Sequence, residues 1–179
     1  MKVNSAWWDE VLRDDDSVFN RPEPTDYLEM LLSRMDTGTR VLDAGCGNGR
    51  LAYHFLDHDI EYVGIDNSQR AIVWAKEKNP GTTFHHMDLR DMSLPYESFD
   101  AIWCCCALND VQEVELGDII KGFYRLLRTE GHLMLVLPYM EGCFILQDLV
   151  LPFRQAGFTY ITHNTNNKSK AWSLLLQKL

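Results

Sequence analysis

Residues 40–50, RVLDAGCGNGR, constrain this chain more than any other stretch. Val41 and Leu42 end an apolar strand, Asp43 follows, and glycine then occupies positions 45, 47 and 49. Glycine lacks a Cβ, so the backbone there can turn tightly and lie close to a ligand. After Gly49 the apolar spacing becomes helical, with Leu51, Ala52, Phe55 and Leu56 predicted on one face. A strand, a glycine turn and a helix start in succession place free backbone N–H groups beside whatever binds there.

The rest of the chain repeats the alternation of strand and helix. A helix is predicted after Thr25 or Asp26, with Tyr27, Leu28, Leu31, Leu32 and Met35 inward. A second strand, 61–65, closes on Asp66, roughly 20 residues past the glycines, where an acid can accept two hydrogen bonds from a ribose diol. The competing role, helix cap, suits Ser68 better. Ala71, Ile72 and Ala75 then face inward on a helix that ends near Asn79-Pro80-Gly81. A third strand, 82–87, leads into Asp88-Leu89-Arg90-Asp91. His85 and His86 are strand neighbours facing opposite ways, which disfavours a shared metal.

A fourth strand, 100–105, opens into Cys106-Ala107-Leu108-Asn109-Asp110. The helix predicted over 111–127 offers Val114, Ile119, Phe123, Leu126 and Leu127 to the core. Asp110 reads as its cap, with Glu113 completing a capping box, or as a catalytic acid. A turn over 125–131 precedes a fifth strand, 132–137, with Tyr139 at its end as packing or pocket residue. A helix over 142–157 is expected to break at Pro152. Strands at 158–164 and 171–179 flank a polar loop. The strand ends carrying Gly, Asp and Asp converge on one edge, where open α/β sheets bind ligands.

Composition narrows the partners. The formal net charge of −9 argues against an extended nucleic-acid surface. No apolar run approaches the ~20 residues that span a bilayer, and the start lacks a secretory pattern. A cytoplasmic protein, monomeric or weakly dimeric, is expected. Three of the five cysteines are consecutive, Cys104, Cys105 and Cys106. Alternation along a strand predicts that these thiols point to opposite faces and form no compact chelate. Reduced thiols and no metal site are the expectation.

The glycine run is not the dinucleotide fingerprint G-x-G-x-x-G, because its third glycine would fall at Arg50. The pattern D-x-G-x-G-x-G closely resembles the first motif of class I S-adenosylmethionine (SAM) dependent methyltransferases. That resemblance, strongest at the first three strand ends, covers about residues 38–179. It implies one SAM-binding α/β domain there, a Rossmann-like, mostly parallel seven-stranded sheet in the order 3-2-1-4-5-7-6. The last strand would be antiparallel, with helices on both faces. It implies that Asp43, Gly45 and Gly47 lie under the methionine end of the cofactor, and that Asp66 with Asn67 holds the ribose. Asp88 and Leu89 match the positions that meet the adenine. Phe99-Asp100 resembles the start of the fourth motif, and Cys104 and Cys105 become walls beside the transferred methyl. Asn109 and Asp110 are the candidates for holding or deprotonating the acceptor. Residues 1–37 form an arm and helix. Its Trp8 and Phe19 resemble the aromatic lid of the thiopurine and tellurite-resistance methyltransferase branch, and an arm that merely seals the sheet edge is the alternative.

The implied activity is methyl transfer to a small-molecule acceptor. A SAM- or nucleotide-binding module without transfer and a nicotinamide-dependent oxidoreductase are the alternatives. Arg50 and the lack of a Tyr-x-x-x-Lys set disfavour the oxidoreductase.

Overall fold

The central strands are apolar nearly throughout, as expected where a sheet is covered on both faces. In the computed structural model, which describes residues 9–10, 25–109, 111–138, 146–166 and 171–179, these segments pair into a seven-stranded sheet. Its elements in chain order are α1 (Thr25–Leu32), β1 (Arg40–Ala44), α2 (Ala52–Leu56), β2 (Glu61–Asp66), α3 (Gln69–Lys78), β3 (Thr83–His86), β4 (Phe99–Cys105), α4 (Glu113–Leu126), β5 (Leu127–Pro138), α5 (Leu146–Gln155), β6 (Phe158–Asn166) and β7 (Ala171–Lys178). The strand order is β3-β2-β1-β4-β5-β7-β6, with β7 antiparallel to both its neighbours and the other pairs parallel. Order and orientation are those the resemblance implied.

Register aligns the strand ends. Ala44 sits beside Ile65, Asp66 beside His86, and Cys105 beside Val136. The chain leaves β1 toward β2 and β3, then returns to β1's other side as β4. A cleft is therefore expected between the ends of β1 and β4. One face of the sheet packs on α4 and α5 through Leu116, Ile119, Phe123, Leu149 and Phe153. The other packs on α1, α2 and α3 through Tyr27, Leu31, Phe55, Ile72 and Trp103. The Tyr27 hydroxyl donates to the Ala171 carbonyl at 3.0 Å, tying α1 to β7.

Several expectations are corrected. Val114 is 85% exposed. It lies two residues before the buried Leu116, about 200° around the helix, and so on its far side. Leu56 is 42% exposed, because the short α2 buries Ala52 and Phe55. The N-cap of α4 is Gln112, whose backbone N–H donates to Glu115 Oε2 at 3.0 Å, so Glu113 completes no box with Asp110. No separate turn precedes β5: it starts at Leu127, where it pairs with Phe99, and Glu130 absorbs the irregularity at φ +65°. Pro152 lies inside α5 without breaking it, since buried Leu149 and Phe153 hold the helix to the sheet. Asp100 belongs to the opposite end from the cleft, where it accepts from the Arg40 N–H at 2.7 Å and from Arg128 at 2.8 Å.

Candidate functional site

The glycine turn is held from both sides. The N–H groups of Gly45 and Cys46 donate to the Ile65 carbonyl at 2.8 and 2.9 Å, and Gly49 N–H donates to the Cys46 carbonyl at 3.0 Å. All three glycines have positive φ: +85° at Gly45, +55° at Gly47 and +70° at Gly49. A Cβ at Gly45 would come within 2.3 Å of Ala107 Cβ, and one at Gly49 within 2.8 Å of the Phe84 ring. Two of the glycines are therefore demanded by the protein's own packing, Gly45 against the loop after β4 and Gly49 against β3.

Asp66 closes the end of β2. Its Oδ2 accepts from Gly47 N–H and its Oδ1 from Ser68 N–H, each at 2.9 Å. Its carboxyl pKa is raised by burial, and the two N–H donors oppose the rise. Ser68 is the α3 N-cap and accepts from Ala71 N–H at 3.1 Å. The Ser68 hydroxyl in turn donates to Asp9 Oδ1 at 2.5 Å, and that oxygen also accepts from Arg70 N–H at 3.2 Å. A residue of the arm thus caps α3 beside Asp66. The sequence did not single out Asp9, although an acid next to Trp8 in an arm was visible there. Asn67 presents its carbonyl to the His86 ring at 3.0 Å.

Behind the glycine turn, Asp43 is 2% exposed and accepts from the Tyr62 hydroxyl at 2.6 Å. Burial pushes its carboxyl up to about 7, with the Asp66 charge adding to the rise and the Tyr62 hydrogen bond opposing it. Tyr62 was legible only once register was known: Asp43 pairs with Gly64, two residues along β2 from Tyr62, and alternation puts 62 and 64 on one face.

At the end of β3, Asp88 faces Arg90. Arg90 Nε donates to Asp88 Oδ1 at 2.7 Å, and Arg90 Nη1 reaches Glu115 Oε1 at 3.0 Å. These contacts lower the Asp88 pKa and raise that of Arg90, and they fasten the loop after β3 to the start of α4. Leu89 packs against the core beside them.

The end of β4 departs from expectation. Cys104 is 1% exposed and faces the core, as strand alternation requires. Cys105 and Cys106, however, bring their sulfurs to 3.8 Å, because Cys106 takes a left-handed backbone at φ +60°. Alternation fails where the strand ends. Such a conformation costs a non-glycine residue about 1 kcal/mol or more. The neighbouring Cys106 sulfur, then burial and the Asp43 charge, raise the Cys105 thiol pKa, and burial pushes that of Cys104 well above the thiol's ordinary range. Neither is a ready nucleophile. Ala107 then abuts Gly45, and Asn109 Oδ1 is buried with no hydrogen-bond partner among the described residues. Trp8, Phe19, Asp110 and Tyr139 lie outside the described residues. Among those described, no group of three His, Cys, Asp or Glu could hold a metal ion, and no helix is long and apolar enough to cross a membrane.

The geometry gathers a glycine turn, a carboxylate at the end of β2 and an unanswered acceptor at the end of β4. A model of the family described as a methyltransferase domain matches residues 41–131, from β1 into β5. The chain belongs to that family. The sheet order above is that of the class I SAM-dependent methyltransferase fold. An uncharacterized methyltransferase from a Synechocystis strain is 30% identical over 99 residues, which cover 55% of this chain and 47% of that one. A TehB-like SAM-dependent methyltransferase from Corynebacterium glutamicum superposes with a TM-score of 0.80 at 17% identity, covering 98% of both chains. The magnesium protoporphyrin IX methyltransferase from Synechocystis, a structure with bound SAM, superposes with a TM-score of 0.72 at 18% identity, over 87% of this chain and 77% of that one. These superpositions are likenesses of fold. The chain spans about half the length or less of the curated relatives it matches.

Proposed function

We propose that this methyltransferase domain binds SAM at the glycine turn and moves its methyl group to a small-molecule acceptor by in-line displacement. The observation that carries the reading is Asp66: a largely buried carboxylate at the end of β2, already fixed to Gly47 N–H, where a nucleoside diol would add two donors. The residues fit the cofactor at a second point. The orphaned Asn109 Oδ1 can accept from a ligand ammonium or from the acceptor, and no protein donor answers it among the described residues. In this reading Gly45 and Gly47 underlie the methionine portion and Asp43 supports the turn from behind. Asn67 flanks the ribose. Asp88 and Leu89 border the adenine, with Arg90 turning the Asp88 carboxylate. Cys104 and Cys105 supply wall. Trp8 and Phe19 cover the site, and Asp110 assists the acceptor.

The bound cofactor supplies a methyl group on a sulfonium, already primed to leave. What remains for the chain is alignment, a proximity effect. A base is required only for a protonated acceptor. The net charge of −9 favours a neutral or cationic small acceptor over a polyanion.

Calorimetry with SAM, S-adenosylhomocysteine and NAD tests the cofactor. Binding of the first two and not NAD is expected, and the reverse pattern overturns the reading. A screen of thiol, amine, phenol and oxyanion acceptors for S-adenosylhomocysteine release then tests transfer. Binding without turnover across these classes would favour a non-transferring module.

A further inference from the structure

The pair Cys105 and Cys106 has a geometry that neither strand alternation nor the methyl-transfer reading requires. Adjacent strand residues ordinarily hold their side chains apart. Here the left-handed backbone of Cys106 turns both sulfurs to one side, at 3.8 Å. Both residues are only half-buried, while Cys104 is enclosed. We propose that Cys105 and Cys106 form a two-thiol chelating site for a monosubstituted trivalent arsenical.

Spacing selects this class of ligand. With a sulfur-to-centre distance of about 2.3 Å, as for thiolates on zinc, sulfurs 3.8 Å apart subtend about 110°. That suits a bent centre, whereas a linear two-coordinate ion would hold its sulfurs about 4.6 Å apart at the same bond length. Among the described residues no group of three His, Cys, Asp or Glu surrounds a common point. A bare divalent ion that needs three or four protein ligands is therefore poorly served. A centre that brings its own third bond is well served by two.

The protonation state agrees. The neighbouring Cys106 sulfur and burial raise the Cys105 thiol pKa and so favour its protonated form. An organoarsenic(III) oxide condenses with two neutral thiols: two arsenic–sulfur bonds form, the arsenic–oxygen bond breaks, and the two thiol protons leave with that oxygen as one water. No electrons are transferred, and the product is neutral, as a half-buried site favours. The strained Cys106 backbone has a role in this reading, because it presets the sulfurs before any ligand arrives.

The test uses phenylarsine oxide, one equivalent, on the full chain, read by intact mass. One adduct is expected, heavier by a phenylarsenic group less two hydrogens, stable to excess glutathione and removed by ethanedithiol. Cys105→Ser and Cys106→Ser should each abolish it, and Cys104→Ser and Cys143→Ser should retain it. Should Cys106→Ser not fold, Cys106→Gly suits the same left-handed backbone. No glutathione-stable adduct on the wild type, or one that survives loss of Cys105 or Cys106, overturns the proposal. The mass readout needs no SAM, so it stands or falls apart from the methyl-transfer reading.

Discussion

Asp66 and Asp43 lie on neighbouring strand ends, yet their environments set them different tasks. Asp66 is charge-compensated by two backbone N–H groups at the end of β2. Charge-assisted hydrogen bonds contribute about 1.5–3 kcal/mol each, so Asp66→Asn is expected to weaken S-adenosylhomocysteine binding by roughly 10- to 100-fold in calorimetry, with the far-UV spectrum unchanged. Asp43 has one neutral donor, Tyr62, and full burial. Its folded pKa of about 7 lies above the ordinary 3.8. The folded protein therefore holds a proton that the unfolded chain has released, and this group's contribution to stability falls as pH rises from about 4 to about 7. Between pH 6 and pH 8 the loss from Asp43 should be about 1.4 kcal/mol. Asp43→Asn removes that dependence while leaving Tyr62 an acceptor. Urea denaturation of both proteins at the two pH values checks this, and equal pH slopes would contradict it.

At the scale of elements, the site is a set of joints. The β1–α2 turn is pressed by Ala107 from the loop after β4. Gly45→Ala places a Cβ 2.3 Å from Ala107 in a φ of +85°. Overpacking of this kind costs typically 1–3 kcal/mol, with left-handed strain of about 1 kcal/mol added. A loss of at least 2 kcal/mol in denaturant unfolding is expected even without ligand, by the same strain and overpacking. A loss of ligand binding alone, with stability intact, would show Gly45 to be there for the ligand. The start of α3 is a second joint, where Ser68 and Asp9 act in series. Removing an N-cap costs about 1 kcal/mol. Ser68→Ala and Asp9→Ala should each destabilise by about that amount. The double variant should lose less than their sum, because the serine links the arm's carboxylate to the helix. Strict additivity in a denaturation cycle would mean that Asp9 stands alone.

For the whole molecule, parallel strands bring residues far apart in sequence to one edge. Residues 43, 66, 88 and 109 fall at or after the same-edge ends of β1, β2, β3 and β4, because these strands are parallel and β2 and β4 flank β1 on opposite sides. A ligand held by all of them stabilises the sheet as a unit. At a free concentration of 100 times its dissociation constant, S-adenosylhomocysteine should add about 2.7 kcal/mol to unfolding stability. NAD at equal concentration should add nothing measurable. Thermal and denaturant unfolding with each compound check this, and stabilisation by NAD alone would reassign the cleft.

The local sequence was enough for the alternation of strands and helices, the glycine turn and the acids at the ends of β2 and β3, because periodicity and the steric freedom of glycine act within a few residues. The sheet order was legible through likeness to a family rather than through any local rule. Only the tertiary structure decided the rest. It turned Val114 to solvent through the phase of α4, carried α5 through Pro152 by burying the residues around it, and set Asp9 on α3. It also brought the sulfurs of Cys105 and Cys106 together where β4 gives way to a left-handed residue. Each of these depends on which distant surface a segment meets, and nearest-neighbour chemistry carries no record of that.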